Sequence, residues 1–274
     1  IPVAFTTAWI ALVKTANLKR GERILIHSAA SGVGMAAMQI AQYLGAEVWA
    51  TAGTEEKHQL LLRMGAKGVA TSRSREFGQY FRAELGERPF DVVLNALAGE
   101  LLEESLDLLA CQGRFVELGL RDILDNKQLG LKMFAAGGSF HAVQAGAEHP
   151  EYAASWKEVV ENFEQEQFHG LPTKAFPLDE LGIAFEEMAQ GKHIGKFAVT
   201  LPQTEQNKGF VAKLRKEGLS DKEGVEIAMA MAAAVKQSSL HYLAISKLPA
   251  GVVLEKQNET QQMVLGRKEA SISE

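Results

Sequence analysis

Short apolar segments alternate with segments of helical periodicity through the first two hundred residues, and this alternation restricts the fold most strongly. Apolar runs of strand length lie at 23–28, 47–53, 68–72, 90–97 and 113–119. Before and between them, apolar residues recur at helical spacing over 6–17, 32–45, 55–65, 76–86 and 99–111. Strands that are joined through helices lie parallel, because a tight hairpin cannot connect them. The pattern therefore predicts an α/β domain whose parallel sheet is covered by helices on both faces.

The composition changes near residue 202, where the polar stretch "LPQTEQNKG" interrupts the alternation. Residues 208–218 and 220–237 have helical spacing, and the second begins with a capping box of Ser220 and Glu223. Strand-like runs follow at 240–246 and 250–256, and we expect 258–274 to be frayed or a linker. These features predict one domain over 1–202. A linker with a small α/β or helical appendage is predicted over 203–274.

The charge and the cysteine content restrict the possible partners and compartment. The 274 residues carry a formal net charge of −5, with a pI of about 5.9, which argues against nucleic acid or an anionic membrane surface as the partner. Cys111 is the single cysteine, so no intrachain disulfide can form and a cytoplasmic location is expected. No secretory leader and no run near the roughly 20 apolar residues of a membrane span is found. The chain begins at Ile1 without a methionine, and we expect it to be part of a longer polypeptide.

The stretch "HSAASGVGMAAMQIAQ" at 27–42 joins the first clear strand to a helix. Glycine at 32 and 34 allows the backbone to approach a pyrophosphate closely, and the free N–H groups of a helix start favour an anion. The spacing Ala29-x-x-Gly32-x-Gly34 differs from the usual G-x-G-x-x-G, however. A tight structural turn explains the two glycines equally well, so the loop alone leaves both interpretations open.

The end of the second strand, "WATAGTEEK", distinguishes between coenzymes. Proteins that prefer NAD usually carry an acidic residue here to hold the ribose 2′-hydroxyl. This chain has Ala52, Gly53 and Thr54 at that corner, and Lys57 follows one helical turn later. A neutral corner beside a lysine favours a 2′-phosphate, and hence NADPH. The adjacent 55–56 glutamate pair would repel the phosphate if it pointed inward, and a solvated helix face also explains Lys57.

These residues occur within motifs that resemble a known family. The stretch from "PVAFTTAWIALV" to "WATAGTEEK" is similar to the nucleotide-binding half of medium-chain dehydrogenases/reductases, which indicates a Rossmann-type, doubly wound sheet. "DVVLNALAGELLEESLDLLACQGRFVELG" and "FEEMAQGKHIGKFAVTL" resemble the enoyl reductase domain of polyketide synthases and animal fatty acid synthase. The resemblance covers about residues 1–202, and several separate motifs occur in the family's order.

The resemblance implies an activity, a cofactor and a set of site residues. NADPH delivers hydride to the β-carbon of an α,β-unsaturated thioester on an acyl carrier protein, and the α-carbon is then protonated. The expected partners are that carrier, with its phosphopantetheine-linked substrate, and the other synthase domains. By resemblance the coenzyme contacts Thr7 near the nicotinamide, Ser31, Gly32, Val33 and Gly34 at the pyrophosphate, Thr54 and Lys57 at the 2′-phosphate, and Asn95, Ala96, Leu97, Gly119 and Leu120 after their strands. Asn95 can also be a turn residue that satisfies backbone groups, and Thr7 a helix cap.

Departures from the family pattern leave the catalytic residues unassigned. In these reductases the strand before Gly119 is followed by a lysine in a G-K-x-D pattern, and that lysine is a candidate proton donor. Here Leu120 replaces it, while Asp122 remains. An aspartate expected past the "F-H" pair aligns with Gly146. Leucine can neither donate a proton nor bind an oxyanion.

Other side chains near this gap have simpler explanations. Arg121 and Lys132 could substitute as proton donors, but exposed surface charge explains both, and His141 is expected to pack rather than catalyse. No metal ligands are predicted.

Three functional hypotheses follow from the motifs. The first is an NADPH-dependent enoyl-thioester reductase, whose substrate-binding domain is expected upstream of Ile1. The second is a catalytically impaired nucleotide-binding or scaffold domain of the same synthase, which the changes at Leu120 and Gly146 motivate. The third is a quinone or enone reductase of the same fold. The tail "AKLRKEGLSDKEGVEIAMAMAAA" resembles the C-terminal end of polyketide ketoreductase regions, and a helical linker is its alternative.

Overall fold

A six-stranded parallel sheet organises the computed structural model, in which residues 2–146, 148–177, 180–191, 193–200, 252–257 and 262–267 are described. The strand order is β3-β2-β1-β4-β5-β6, and every neighbouring pair is parallel. The chain moves outward from β1 to β3, returns to the other side of β1 as β4, and continues outward to β6. This reversal beside β1 defines a doubly wound Rossmann-type sheet and confirms the predicted fold class.

The strands and helices alternate as the periodicity predicts. The strands of the sheet span Arg23–Ile26 (β1), Glu47–Ala52 (β2), Val69–Thr71 (β3), Phe90–Asn95 (β4), Leu109–Glu117 (β5) and Ser139–Ala142 (β6). The helices span Pro2–Trp9 (α1), Gly32–Tyr43 (α2), Glu55–Arg63 (α3), Glu76–Leu85 (α4), Glu100–Asp107 (α5), Arg121–Leu124 (α6), Tyr152–Glu164 (α7) and Leu181–Ala189 (α8). A π-helical segment at Ile10–Thr15 continues α1, and a 3-10 helix forms at Leu131–Phe134.

Two apolar clusters lie on opposite faces of the sheet. Ile24 and Ile26 of β1 face the first cluster, which α1 and α2 also form, whereas Leu25 faces the second. The second cluster takes aromatic side chains from α4, among them Phe77 and Phe81. Side chains alternate between faces along a strand, so a strand buried on both faces must be apolar throughout. This burial explains the continuous apolar runs in the sequence.

One predicted helix is wrong at its end. The periodicity predicts a helix over 99–111, but α5 ends at Asp107 and β5 begins at Leu109, so Cys111 lies in the strand. The pairing of β4 with β5 shifts register between Phe90 and Val92, and Gln112 takes a positive φ of 58° within the irregularity. A short apolar run such as "LLAC" fits either a buried helix or a strand. Leu109 pairs with Phe90 of β4, and this pairing makes the segment a strand.

The C-terminal part contains elements that only partly match the predictions. The described residues fall into two compact units, namely those within 1–174 and 186–198, and those within 175–185 and 199–274. β7 (Thr173–Pro177) pairs with β8 (Lys196–Thr200). In the second unit, β9 (Val252–Gln257) pairs antiparallel with β10 (Gln262–Arg267), so the strand predicted at 250–256 is confirmed, and the frayed end predicted over 258–274 is wrong at β10. The predicted helices at 208–218 and 220–237, the capping box and the strand at 240–246 lie outside the described residues.

No helix among the described residues combines the length and the apolar composition that crossing a membrane requires.

Candidate functional site

The predicted site residues lie together at one edge of the sheet, apart from Thr7. Ser31–Gly34 follow β1, Thr54 and Lys57 follow β2, Asn95–Leu97 end β4 or follow it, and Gly119–Leu120 follow β5. The carboxyl ends of parallel strands meet at the same edge, and ligands of doubly wound sheets bind where the strand order reverses. That point lies here between β1 and β4. Thr7 is half-buried in α1.

Ser31 begins α2 as its N-cap. Its Oγ accepts a hydrogen bond from the Gly34 N–H at 3.1 Å, which satisfies one of the free N–H groups at the helix start. Val33 is half-buried and packs against the apolar cluster of α1 and α2. The remaining N–H groups of this first turn and the positive end of the helix dipole can hold an anion.

The two glycines of the loop serve different purposes. A Cβ on Gly34 would lie 2.5 Å from Ala29 Cα and 2.7 Å from the Ser28 carbonyl oxygen, so this glycine allows the helix to pack closely on the turn. A Cβ on Gly32 would instead meet the Lys196 side chain, with Cε at 2.2 Å. The missing side chain of Gly34 thus faces protein backbone, which gives this glycine a packing role, and its contact with a pyrophosphate stays a prediction.

A segment from far along the chain closes one side of the loop. The Gly195 N–H donates to the Ala30 carbonyl at 3.0 Å, and Gly195 pairs with Ser31 as a parallel bridge. Gly195 takes a positive φ of 66°, and a Cβ there would lie 2.2 Å from the Pro172 carbonyl oxygen. The glycine in "HIGK" is thus required for this contact, which brings Lys196 to the start of α2.

Four basic side chains gather at the end of β2 and beside α2. Lys57 is 8% exposed and its Nζ donates to the Gly191 carbonyl at 2.6 Å. Arg73 follows β3, and its Nε lies 2.7 Å from where a Gly53 Cβ would be. His193 Nδ1 is buried and has no hydrogen-bond partner within the described residues. Lys57, Arg73, His193 and Lys196 are called the basic cluster below.

The electrostatics of the basic cluster indicate a missing negative charge. Burial lowers the pKa of Lys57, and the nearby Arg73 guanidinium lowers it further, while Glu56 opposes the shift. Burial likewise lowers the pKa of His193, with added effects from Lys57 and Lys196. In the described part of the chain, no carboxylate forms an ion pair with these four side chains. An anion bound here would relieve their mutual repulsion.

The acidic residues beside this corner do not fill it. Thr54 is the N-cap of α3, and its Oγ1 accepts from the Lys57 N–H at 3.4 Å. The Glu55 side chain is 76% exposed and accepts a hydrogen bond from Gln59. Glu56 is exposed as well. Glu55 therefore does not point into the corner, so it would not repel a phosphate bound there.

At the carboxyl ends of β4 and β5, the buried carboxylate of Glu117 forms hydrogen bonds to both strand ends. Glu117 is 2% exposed, and its oxygens accept from Asn95 Nδ2 and from the Gly119 N–H, both at 2.5 Å. Asn95 is fully buried and also bonds both backbone groups of Leu97. The Asn95 side chain thus satisfies the turn, as its alternative interpretation stated, while the following Ala96 is exposed.

The residues near the missing proton donor lie at the surface or serve the loops. Leu120 is 41% exposed, and Arg121, Lys132 and Gly146 are exposed. Asp122, which the family pattern retains, accepts a hydrogen bond from the Gly99 N–H at 2.6 Å and so holds the start of α5. His141 lies half-buried in β6, and its Nε2 is 2.9 Å from Ser139 Oγ. Its packing role was expected.

Beneath the loop, His27 forms a buried hydrogen-bond chain. Its Nδ1 is 2.9 Å from Thr51 Oγ1, and its Nε2 is 2.8 Å from Ser105 Oγ. The Ser105 hydroxyl donates to the Leu101 carbonyl at 2.6 Å, so it accepts from His27 Nε2–H, which assigns the neutral tautomer from the network. Complete burial lowers the pKa of His27 to about 3. The chain connects β1, β2 and α5 directly below the phosphate loop.

Sequence reasoning missed Arg73, His193, Lys196 and Glu117 as parts of the site. Arg73 lies in "TSRSRE", where charges are typical of a solvated loop. Glu117 and Lys196 lie within the motifs that carry the family resemblance, but nothing local distinguishes them from surface charges. A position at the carboxyl end of a strand of a parallel sheet was the available signal for Glu117.

Comparison with known proteins identifies the family to which the chain belongs. A family described as zinc-binding dehydrogenase matches residues 32–163. The X-ray structure of the nucleotide-binding subdomain of the enoylreductase domain of PpsC from Mycobacterium tuberculosis is 37% identical. It has a TM-score of 0.57, and the match covers 61% of this chain and 96% of that one. The chain belongs to the enoyl reductase domains of polyketide synthases.

Two further relatives set the extent of the similarity. Squalestatin tetraketide synthase of Phoma sp. is 38% identical over 211 residues, which are 74% of this chain and 8% of the synthase. The CurF ER cyclopropanase from the curacin A biosynthetic pathway is 33% identical with a TM-score of 0.66, and the match covers 74% of this chain and 61% of that one. This chain therefore spans only part of the length of these two relatives.

The zinc in the family description finds no site in the described ranges. No group of three or more histidine, cysteine, aspartate or glutamate side chains there could hold a metal ion. Structural zinc sites require four such ligands and catalytic sites three. The described side chains therefore do not fit a zinc ion.

Proposed function

We propose that this chain is the NADPH-binding part of an enoyl reductase that reduces an α,β-unsaturated acyl thioester on an acyl carrier protein. The observation that carries the proposal is the positive charge of Lys57 and Arg73 at the end of β2, with which no described carboxylate forms an ion pair. The corner Gly53–Thr54 holds no acidic side chain for a ribose 2′-hydroxyl. A 2′-phosphate supplies the charge that this corner lacks, which favours NADPH over NADH.

The residues present fit the rest of the coenzyme. The N–H groups at the start of α2, beside Ser31 and Gly32, would hold the pyrophosphate. Lys57 keeps donors free beyond its bond to the Gly191 carbonyl, because an ammonium group has three. Ala96, Leu97, Gly119 and Leu120 lie at the ends of β4 and β5, where the nicotinamide would lie.

The bound coenzyme would supply the hydride, and the chain would supply position. Holding the reacting groups in place can contribute much of the rate enhancement without an acidic side chain. Leu120 occupies the place where the resemblance implies a lysine, so protonation of the α-carbon falls to water. The phosphopantetheine-linked substrate, the carrier protein and the other synthase domains are the partners that this proposal implies.

An impaired nucleotide-binding domain is the second candidate, and Leu120 is the observation that favours it. The CurF relative shows that this family's fold also occurs in a protein described as a cyclopropanase. The two candidates differ in turnover but not in coenzyme binding. Incubation of the enzyme together with the substrate-binding domain expected upstream of Ile1, with NADPH and crotonyl-pantetheine, followed by mass spectrometry, separates them. We expect an NADPH-dependent butyryl product, whereas saturable NADPH binding without product would establish the second candidate. Faster reduction of a quinone than of the thioester would point to a quinone reductase.

Replacement of Arg73 tests the coenzyme preference. We expect Arg73→Gln to weaken NADPH binding about tenfold or more, because a charge-assisted hydrogen bond contributes about 1.5–3 kcal/mol. The affinity for NADH, which lacks the 2′-phosphate, should remain within about twofold. Calorimetric titration with both coenzymes measures the ratio. Arg63→Gln removes the same charge from an exposed position at the end of α3 and should change neither affinity. Equal losses for both coenzymes at Arg73 would contradict the assignment.

Replacement of Leu120 tests the missing proton donor. We expect Leu120→Lys to raise the rate of thioester reduction at least about tenfold, since a positioned general acid contributes about 10²–10⁴. Leu120→Met keeps the apolar character and should leave the rate unchanged. Rates for the three proteins at saturating NADPH decide the question. A lysine variant no faster than the methionine variant would show that the native site does not lack an acid at this position.

A further inference from the structure

Glu117 is a buried carboxylate for which the proposed reaction has no use. It is the last residue of β5 and is 2% exposed. In the described residues no lysine, arginine or histidine forms an ion pair with it. A buried carboxylate without a counter-charge is costly. The burial of Glu117 therefore calls for a role that offsets this cost.

The contacts of Glu117 join two loops that the coenzyme would use. One oxygen accepts from the Gly119 N–H at 2.5 Å, immediately before Leu120. The other accepts from Asn95 Nδ2 at 2.5 Å. Asn95 in turn donates to the Leu97 carbonyl at 2.8 Å and accepts from the Leu97 N–H at 3.2 Å. One carboxylate therefore fixes both the turn after β4 and the turn after β5.

The donors and acceptors match in only one arrangement. Asn95 must direct its amide nitrogen to Glu117, because its oxygen accepts from the Leu97 N–H. Burial raises the pKa of Glu117 and the nearby Asp122 raises it further, whereas the bonds from Asn95 and Gly119 lower it. Because both oxygens accept N–H groups, the ionised form fits the network. A carboxylate held in this way is unsuited to donate a proton.

We infer that Glu117 is a positioning residue that, through Asn95 and the Gly119 N–H, sets the nicotinamide-side loops 95–97 and 119–120. The inference rests on the proposed function, because it assigns those loops to NADPH. It adds that the adenosine end of the coenzyme is bound independently of Glu117. The basic cluster and the Glu117 network have no residue in common.

The test compares two ligands with two single variants and their combination. Glu117→Gln places an amide against the Asn95 amide, and Asn95→Asp places two carboxylates together. The double variant N95D/E117Q restores one donor and one acceptor with the groups exchanged. NADPH reaches both loops, whereas adenosine 2′,5′-bisphosphate carries only the adenosine end. Calorimetric titration of each folded protein gives both dissociation constants.

We expect each single variant to bind NADPH about tenfold more weakly or worse, because a donor or acceptor loses its buried partner. Binding of adenosine 2′,5′-bisphosphate should stay within about twofold. The double variant should recover part of the NADPH affinity, because the contact between positions 95 and 117 is restored while the Leu97 carbonyl loses the Asn95 donor. Glu164→Gln makes the same chemical change at an exposed position of α7 and should alter neither ligand.

Several results would overturn the inference. NADPH affinities of the single variants equal to wild type would do so, as would equal losses for both ligands or a double variant no better than the singles. If one single variant does not fold, the other carries the same comparison. If neither folds while the double variant does, Glu117 is a folding determinant only and the inference is wrong. Wild-type protein that binds adenosine 2′,5′-bisphosphate but not NADPH, or neither ligand, would instead defeat the proposed function.

Discussion

Gly34→Ala is expected to destabilise the protein by about 3 kcal/mol and to abolish NADPH binding. The added methyl would lie 2.5 Å from Ala29 Cα, 2.7 Å from the Ala29 oxygen and 2.7 Å from the Ser28 oxygen. These are backbone atoms of the turn between β1 and α2, and they can move only if the strand–helix junction opens. The same movement would displace the first N–H groups of α2. Chemical denaturation gives the loss of unfolding free energy, and fluorescence titration gives the coenzyme affinity.

Gly32→Ala is the matched control for this prediction. The three atoms nearest its methyl would be Cε, Nζ and Cδ of Lys196, which form the flexible end of a side chain. That side chain can rotate away, so we expect the unfolding free energy to stay within about 1 kcal/mol of wild type. If Gly34→Ala were as stable as Gly32→Ala, the account of Gly34 as a packing glycine would be wrong.

Acid is expected to destabilise the protein through His27. The pKa of His27 is about 3 in the folded protein, and an unfolded histidine titrates near 6.5. Between these values the unfolded state binds the additional proton, so the stabilisation is complete above pH 6.5 and is lost as the pH falls. Lowering the pH from 6.5 to 4.5 should cost about 2–3 kcal/mol of unfolding free energy from this residue alone. Denaturation curves at several pH values measure the slope.

His27→Gln isolates this effect because glutamine cannot titrate. It can still donate to Ser105 Oγ and accept from Thr51 Oγ1, so the variant should fold. Glu117, whose pKa is raised by burial, acts in the opposite direction, but both proteins share it. We expect the variant to be less sensitive to pH than wild type over this range. Identical slopes would show that His27 is not buried in its neutral form.

The sequence predicts the sheet because burial leaves a simple pattern. β1, β2 and β4 are apolar on both faces, and a helix follows each of them, so their number and direction can be read from periodicity. The same reasoning fails at Leu109–Cys111, where the pairing of β4 and β5, and not local preference, decides the structure. β6 escapes prediction because its four residues are only partly buried at the sheet edge.

Local contacts of the site are predictable, and long-range contacts are not. Ser31 and Thr54 are N-caps that bond within their own first turn, so the sequence alone indicates them. Gly195 contacts Ala30 from far along the chain, and Arg73 reaches Gly53 from the loop after another strand. No spacing in the sequence predicts such long-range contacts. The departure at Leu120 is visible only through resemblance to the family.

The most direct test of the account is the titration of the unmodified chain with NADPH and NADH under identical conditions. The basic cluster at the end of β2 predicts saturable binding of one NADPH per chain, with an affinity at least about tenfold greater than for NADH. Adenosine 2′,5′-bisphosphate should compete with NADPH. Equal affinities for the two coenzymes, or no saturable binding of NADPH, would contradict the central claim.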